Sequence, residues 1–386
     1  MNQETSTYLP PEITINILSR LPVRTVITCK LVCKSWLELL ETQEFAKSHL
    51  SESVPGLVVY QYDNYIKTFE FEDDKLDFER HELHYNQVTK LDRRAFISSP
   101  HAAIGIQGSS NGFLFLREIN TQPNALYICN PTTREYIELP NEGFVYRYPT
   151  MVTYGFGVSK ITGQYKVVNV YHKCERDPHT QVLLRIPKSF CRVYTLGTRK
   201  WRSVTPSAPL VYNCRSVGAF LNGNLHWLVS DLTGSYFISC FDLEREIFST
   251  FLPPPPLRPS GRLLGGLVNL GGDLCLCDNS SNDEIVIWMM KEYKNEKSWK
   301  KEFVISKRPD FDGESYDFVY PIKVFKDGDI LMSCQCINLF YYSNKTKTLR
   351  IIDTLELGDS DIDSMLYTSS FVSLESCFPM ENVRPF

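Results

Sequence analysis

The chain has 386 residues, a net charge of −4 and 43% hydrophobic residues. That length exceeds one ordinary core unless the fold is a barrel or propeller. The near-neutral charge, without any basic run, excludes a nucleic-acid groove, and no apolar run approaches the roughly 18 residues of a membrane span. The start, MNQETSTYLPPE, lacks a charged-then-apolar leader, so the expected setting is cytoplasm or nucleus, with the 12 cysteines reduced. With 21 Tyr and 23 Phe, the chain suits packed sheets better than a helical bundle.

The first 50 residues read as helical. Pro11 suits a first helical turn, where its missing N–H is harmless. Ile13, Ile17, Leu18 and Leu21 form one stripe at helical spacing. Pro22 ends that helix and opens a second containing Val26, Ile27 and Cys29, and a third runs from about Cys33 with Trp36, Leu37 and Leu40. Three helices in so short a segment cannot bury this much apolar surface among themselves, so part of it is expected to face a partner.

This stretch resembles an F-box of the plant type. The likeness rests on Leu9-Pro10 before the first helix, Ile17-Leu18-Ser19-Arg20-Leu21-Pro22 across its end, Val32-Cys33-Lys34-Ser35-Trp36, and the closing Phe45 and His49-Leu50. The resemblance implies that Leu9, Pro10, Leu18, Leu21, Pro22, Val32, Cys33 and Trp36 form or support a surface that docks on a Skp-type adaptor protein.

From residue 57 the chain is strand-like and repetitive. One ladder is a set of tight turns between apolar runs, at Gly112, Gly163, Gly223, Gly272 and Gly328, with intervals of 51, 60, 49 and 56 residues. Asn-Gly, Gly-Asp and Asp-Gly supply the positive φ that two-residue hairpins demand. A second ladder places a polar or small turn-opening residue six positions before a large apolar one: Glu72 and Phe78, Asn130 and Tyr136, Thr195 and Trp201, Asp242 and Phe248, Ser343 and Leu349. A longer hairpin leads to Trp299. Together the ladders define a four-stranded unit of about 50 residues, a kelch-like propeller blade. An open β-sandwich is the rival, but it does not require such a period.

Five units run from about 104 to 354. The segment 57–83 has a hairpin without a preceding strand pair, and 364–374 is a strand without a partner. Pairing that strand into the first blade closes a ring of six and removes the open edge. The expected fold is thus a small all-α F-box of three helices followed by an all-β propeller. Its divisions are residues 1–50, a linker at 51–56, the propeller at 57–376 and a tail at 377–386. LNGNLHWL, CNPTTRE and YGFGVSKITGQYKVV also resemble the F-box-associated domain of plant F-box proteins.

Catalytic and cofactor chemistry is not visible. Cys275/Cys277 and Cys334/Cys336 lie in apolar runs where alternation puts both members on one face, as core thiols rather than zinc ligands. The histidines are scattered, and His226 beside Trp227 reads as structural. GIQGSSNGF lacks the Lys-Ser/Thr of a phosphate loop, and no nucleophile elbow is present. FLPPPPLRP reads as a connector between blades rather than a polyproline ligand. No cofactor, metal, nucleic acid or membrane is expected.

The resemblance implies a non-catalytic substrate-recognition subunit of an SCF-type ubiquitin ligase, tied through the Skp-type adaptor to a cullin, that recruits an unidentified target protein for ubiquitination. Both tight ladders belong to one rim, so the long, varied connections share the other. On these, Tyr146, Arg147, His172, Arg176, Arg185, Tyr212, Arg215, Asp312 and Tyr316 are the expected target contacts, being aromatic, charged and loop-borne. Alternatives are a propeller lectin or small-ligand-binding protein with a regulatory F-box, and an F-box protein acting outside a ligase.

Overall fold

The computed structural model describes residues 9–61, 64–71, 85–97, 102–119, 124–140, 151–173, 188–206, 211–212, 217–231, 234–255, 265–307, 319–334, 338–352 and 362–386. The head has four helices rather than three: α1 (Pro11–Leu18), α2 (Val23–Cys29), α3 (Lys34–Leu40) and α4 (Gln43–Glu52). Pro10 and Pro22 stand immediately before α1 and α2, where a ring-fixed φ leads into a helix. In α4, the Thr42 hydroxyl caps the start by accepting from Phe45 N–H at 3.2 Å. The helix runs beyond residue 50, and the next strand starts at Gly56, so little linker separates head from body.

The body is a six-bladed ring. Blade one holds β1 (Gly56–Gln61), β2 (Tyr65–Phe71) and β3 (Tyr85–Asp92), and its innermost strand is β25 (Ile362–Tyr367) from the far end of the chain. Gly56 faces Tyr367 and Gln61 faces Ile362 in antiparallel register, which is the expected closure. The expected hairpin at Glu72 and Phe78 lies outside the described residues. Blade two is β4 (Ala103–Ser110), β5 (Phe113–Ile119), β6 (Leu126–Asn130) and β7 (Glu135–Glu138); blade three is β8 (Met151–Val158), β9 (Tyr165–Lys173), β10 (Lys188–Thr195) and β11 (Trp201–Val204). In blade four, β12 (Val211–Tyr212) and β13 (Ala219–Leu221) share the inner position against β14 (Asn224–Ser230), followed by β15 (Tyr236–Asp242) and β16 (Phe248–Phe251). Blade five is β17 (Gly265–Leu270), β18 (Asp273–Asp278), β19 (Glu284–Met290) and β20 (Trp299–Ser306); blade six is β21 (Val319–Val324), β22 (Ile330–Cys334), β23 (Asn338–Ser343) and β24 (Thr348–Ile351).

Each blade is covered on both faces by its neighbours, so its strands read as apolar runs rather than apolar-polar alternation. In β1, Leu57 and Val59 pack against blade six through Ile322, Phe325 and Leu331. The intervening Val58 and Tyr60 pack against blade two through Ile104, Ile106 and Leu114. A comparable apolar cluster fills every other junction round the ring. Cys275, Cys277 and Cys334 are buried free thiols in this packing, as expected, and Cys336 lies outside the described residues.

Both turn ladders have a physical basis. The first-ladder glycines all have positive φ. Gly112, at φ 85°, has a second constraint, because a Cβ there would stand 2.1 Å from Cβ of Ser370. In the second ladder, Asn130 Oδ1 accepts from Thr132 N–H at 2.9 Å, and Asp242 Oδ1 accepts from Glu244 N–H at 2.8 Å. Arg134, Arg199, Glu246 and Lys347, one or two residues before the outer strands of blades two, three, four and six, are left-handed. A polar opener and a left-handed closer therefore set the spacing.

The C-terminal residues set apart as a tail belong to the propeller. After β25 the chain crosses the tight-turn rim, forms α5 (Leu374–Cys377), and adds β26 (Val383–Pro385) outside β7 as a fifth strand of blade two. Tyr367 Oη donates to Gly112 O at 3.0 Å, and Asn130 Nδ2 donates to Ser370 O and Val372 O. Phe378 is buried, and Glu381 Oε1 accepts from Tyr194 Oη at 2.6 Å and Gly197 N–H at 2.8 Å in blade three. Phe386 packs edge-on against Phe96. A three-residue edge strand has no period by which to announce itself, which is why VRPF reads as a tail.

His226 is structural, as its sequence neighbours suggested. It is fully buried, with Nδ1 3.0 Å from Ala219 O and Nε2 2.8 Å from Tyr293 Oη. A carbonyl can only accept, so Nδ1 carries the proton and Tyr293 donates to Nε2. Burial pushes this imidazole down from 6.5 to about 4. The folded state therefore refuses a proton that the unfolded chain takes below pH 6.5, and this share of stability is lost as pH falls from 6.5 towards 4. The rate is about 1.4 kcal/mol per pH unit. His226→Gln is expected to be less stable than the wild type at pH 7, with a deficit that shrinks by about that amount per unit between pH 6 and 5 in denaturant titrations. A deficit independent of pH would contradict the neutral, buried assignment.

Candidate functional site

The helices of the head are 7 to 10 residues long, too short to persist without tertiary packing. Their common core is Ile15, Leu18, Val23, Val26, Leu40, Phe45 and Ala46, completed by Phe371 from the far end of the chain. The Phe371 ring centroid lies 5.9 Å from that of Phe45 and 5.0 Å from that of His49. Two polar contacts reinforce this seam. Val23 N–H donates to Glu70 Oε1 at 2.9 Å, and Arg24 Nη1 donates to Asn86 Oδ1 at 3.2 Å. Glu70 ends near the tight-turn side of β2, and Phe371 follows the tight-turn end of β25. The head is therefore seated on the tight-turn rim.

With the inward face committed to this core, a second apolar set remains in solvent. Leu31 is 85% exposed, Val32 63% and Leu9 59%, and Ile13, Ile17 and Leu37 are exposed as well. Single exposed leucines are commonplace, but this many on so small a head make an exposed apolar set of the size at which partner contacts are found. The eight residues singled out from the sequence divide accordingly. Leu9, Pro10, Pro22, Val32 and Cys33 are exposed; Leu18 is buried, and Leu21 and Trp36 are half-buried against the same core. Trp36 thus supports the surface from within rather than projecting from it.

The stripe expected along α1 is split in two. Ile13 and Ile17, one turn apart, face solvent, whereas Ile15 and Leu18 face the core. Both sides of this helix are apolar, so periodicity alone gave no way to separate them. Cys33 lies at the start of α3, with Sγ 3.2 Å from Ser35 Oγ. That hydroxyl, then the Trp36 and Ser35 amides, hold its thiol below the usual range.

Strand direction places the ends that flank 141–150, 174–187, 207–216 and 308–318 at the opposite rim. Of the nine residues expected there, Tyr146, Arg147, Arg176, Arg185, Arg215, Asp312 and Tyr316 lie outside the described residues. Tyr212 belongs to β12, where it pairs with Val229. His172 is a correction. Strand β9 continues through it, its side chain is fully buried with Nδ1 3.1 Å from Ser189 Oγ, and burial pushes its imidazole down to about 4. It is a packing residue, not a contact for a partner.

Along the ring axis runs a channel of about 520 Å³, walled by the innermost strands of the blades. Among the described residues no group of three or more His, Cys, Asp or Glu is placed to hold a metal ion, and no helix is long and apolar enough to cross a membrane.

An adaptor-type helical head fixed to a six-bladed ring defines the class of an F-box protein with a propeller. The F-box-like family matches residues 7–48, and the family described as F-box associated beta propeller domain matches residues 46–377. The chain belongs to the F-box proteins that carry an F-box associated β-propeller domain. It is 30% identical to F-box protein At3g07870 of Arabidopsis thaliana, over 77% of this chain and 72% of that one. It is 26% identical to F-box protein CPR1 of the same plant, over 89% and 85%, and 27% identical to its F-box/kelch-repeat protein At3g23880, over 84% and 88%. Among solved structures it is similar to the fucose-specific lectin of Aleuria aurantia, with TM-score 0.44 and 9% identity over 80% of this chain and 90% of that one. It is also similar to TolB of Acinetobacter baumannii, with TM-score 0.46 and 10% identity over 82% and 67%. These two likenesses carry no argument about ligands.

Proposed function

We propose that the protein is the substrate-recognition subunit of an SCF-type ubiquitin ligase, working in the cytoplasm or nucleus. The exposed apolar side chains of the head dock a Skp-type adaptor and, through it, a cullin. The connections of the far rim hold a target protein, with Tyr146, Arg147, Arg176, Arg185, Arg215, Asp312 and Tyr316 as its proposed contacts. The protein changes no bond itself. It acts by raising the effective concentration of the target's lysines near a charged conjugating enzyme.

The observation that carries this reading is the placement of the head. It occupies the tight-turn rim and leaves the loop-bearing rim turned away from the docking residues. The Phe371 and Glu70 contacts fix that relation, so a target held on the loops has a set direction relative to the ligase.

Removing the head to test this would strip the cover from Phe371 and Val88. Charges on the docking face avoid that problem. In cells with degradation blocked, full-length Leu31→Asp/Val32→Asp is expected to retain captured target, lose adaptor and cullin, and lengthen the target's lifetime. Loss of target together with adaptor would mean that the head itself takes part in target recognition, and the division of labour would be wrong.

A further inference from the structure

The axial channel has no part in adaptor docking, yet its lining is chemically selective. Glycine backbone in or beside several inner strands, including Gly108, Gly218 and Gly266, makes much of the wall neutral. Against it stands Asp363, which among the described lining residues is the only carboxylate and meets no lysine, arginine or histidine. It is the second residue of β25, opposite Tyr60, which places it in the half of the channel nearer the loop rim. Its Oδ2 accepts from Ile106 N–H at 2.7 Å, tying blade one to blade two. No cation pairs with it among the described residues.

A half-buried carboxylate without a counter-ion is costly, and desolvation in the channel wall pushes this one up to about 6. An incoming cation would remove that cost. Two further features of the lining suit such a guest. The rings of Phe156, Phe220 and Tyr320 offer faces or edges to an organic cation. Deeper in the channel, where β4 ends at the tight turn, Ser110 is 5% exposed and its hydroxyl has no hydrogen-bond partner among the described residues.

We propose that the channel is a recognition site for an organic cation, a guanidinium or ammonium that enters from the loop rim and pairs with Asp363. Resting on the target-recruiting reading, the natural source is a basic side chain of the target, inserted between the loops that hold it. A free small amine has the same chemistry, and the two sources can be told apart.

The full chain, purified with its adaptor, is titrated calorimetrically with three probes: agmatine, the peptide Gly-Ser-Gly-Arg-Gly-Ser-Gly, and its citrulline counterpart. The arginine peptide is expected to bind at least about tenfold more tightly than the citrulline peptide. Binding of agmatine without the peptide would keep the cation site but assign it to a free small molecule. Asp363→Asn retains an oxygen for Ile106 N–H and removes the charge. It should melt like the wild type and lose cation binding by a similar factor. Equal affinity for arginine and citrulline, cation affinity unchanged in Asp363→Asn, or no binding of either cation at millimolar concentration would overturn the proposal. Should Asp363→Asn fail to fold, the arginine-citrulline comparison on the wild type decides. Adaptor co-purification with Asp363→Asn reports on the ligase reading separately, because the channel takes no part in that contact.

Discussion

Ending the chain after residue 361 is expected to abolish the soluble monomer. The loss removes β25, leaving the inner edge of β1 unpaired from Gly56 to Gln61 in a ring that can no longer close. It also removes Phe371 from the core of the head, a loss of the kind that costs about 3–5 kcal/mol for a buried phenylalanine. Size-exclusion chromatography should show aggregate, and the head should lose protection from proteolysis. Ending the chain after residue 377 is a finer test. The ring stays closed and Phe371 stays in place, but β26, Phe378 and the Glu381 contacts to Tyr194 and Gly197 are gone. A monomer destabilised by about 3 kcal/mol or more is expected, seen as melting lower by several degrees. A monomer ending at 361 with wild-type melting would refute closure by β25. Unchanged melting of the longer chain would reduce β26 to decoration.

The second large effect separates docking from support within the head. Ile17→Asp and Leu31→Asp place charge on exposed apolar positions that the fold does not use. Each is expected to weaken adaptor binding by about 2–4 kcal/mol, roughly thirtyfold to a thousandfold near the centre of an interface, while melting stays within about a degree of the wild type. Leu18→Ala should do the reverse in origin. It opens a cavity beneath the surface, so melting falls first and adaptor binding follows, at a cost of about 2–5 kcal/mol in stability. Trp36→Ala, half-buried, should show both effects. Titrating adaptor against each variant, with melting measured on the same samples, distinguishes the two classes. Full adaptor affinity in an Ile17→Asp/Leu31→Asp double variant would place the docking surface elsewhere.

Local chemistry explains what could be read from residues alone. The blade period was visible because each tight turn needs a left-handed residue and each hairpin a polar opener, and Asn-Gly, Asn130 and Asp242 are conspicuous solutions. The closing strand was visible as an apolar segment without a partner. The missed features are those decided by distant packing. Ile13 and Ile15 are equally apolar, and only the position of α4 and Phe371 determines which is buried. The fourth helix did leave a signal, the Thr42 cap followed by Phe45, Ala46 and His49 on one face. His172 was misplaced because its polar neighbours suggested a loop, whereas β9 continues past it and turns the imidazole inward.

Phe371 joins an early-made part of the chain to a much later one. During synthesis the helices leave the ribosome more than 300 residues before the aromatic ring that completes their core, which comes in the same stretch that closes blade one. Contacts this distant along the chain carry a large closure entropy and form late. A completed head core and a closed ring are therefore acquired in one late step. A nascent chain that has not reached this stretch, or one nicked before it, lacks both.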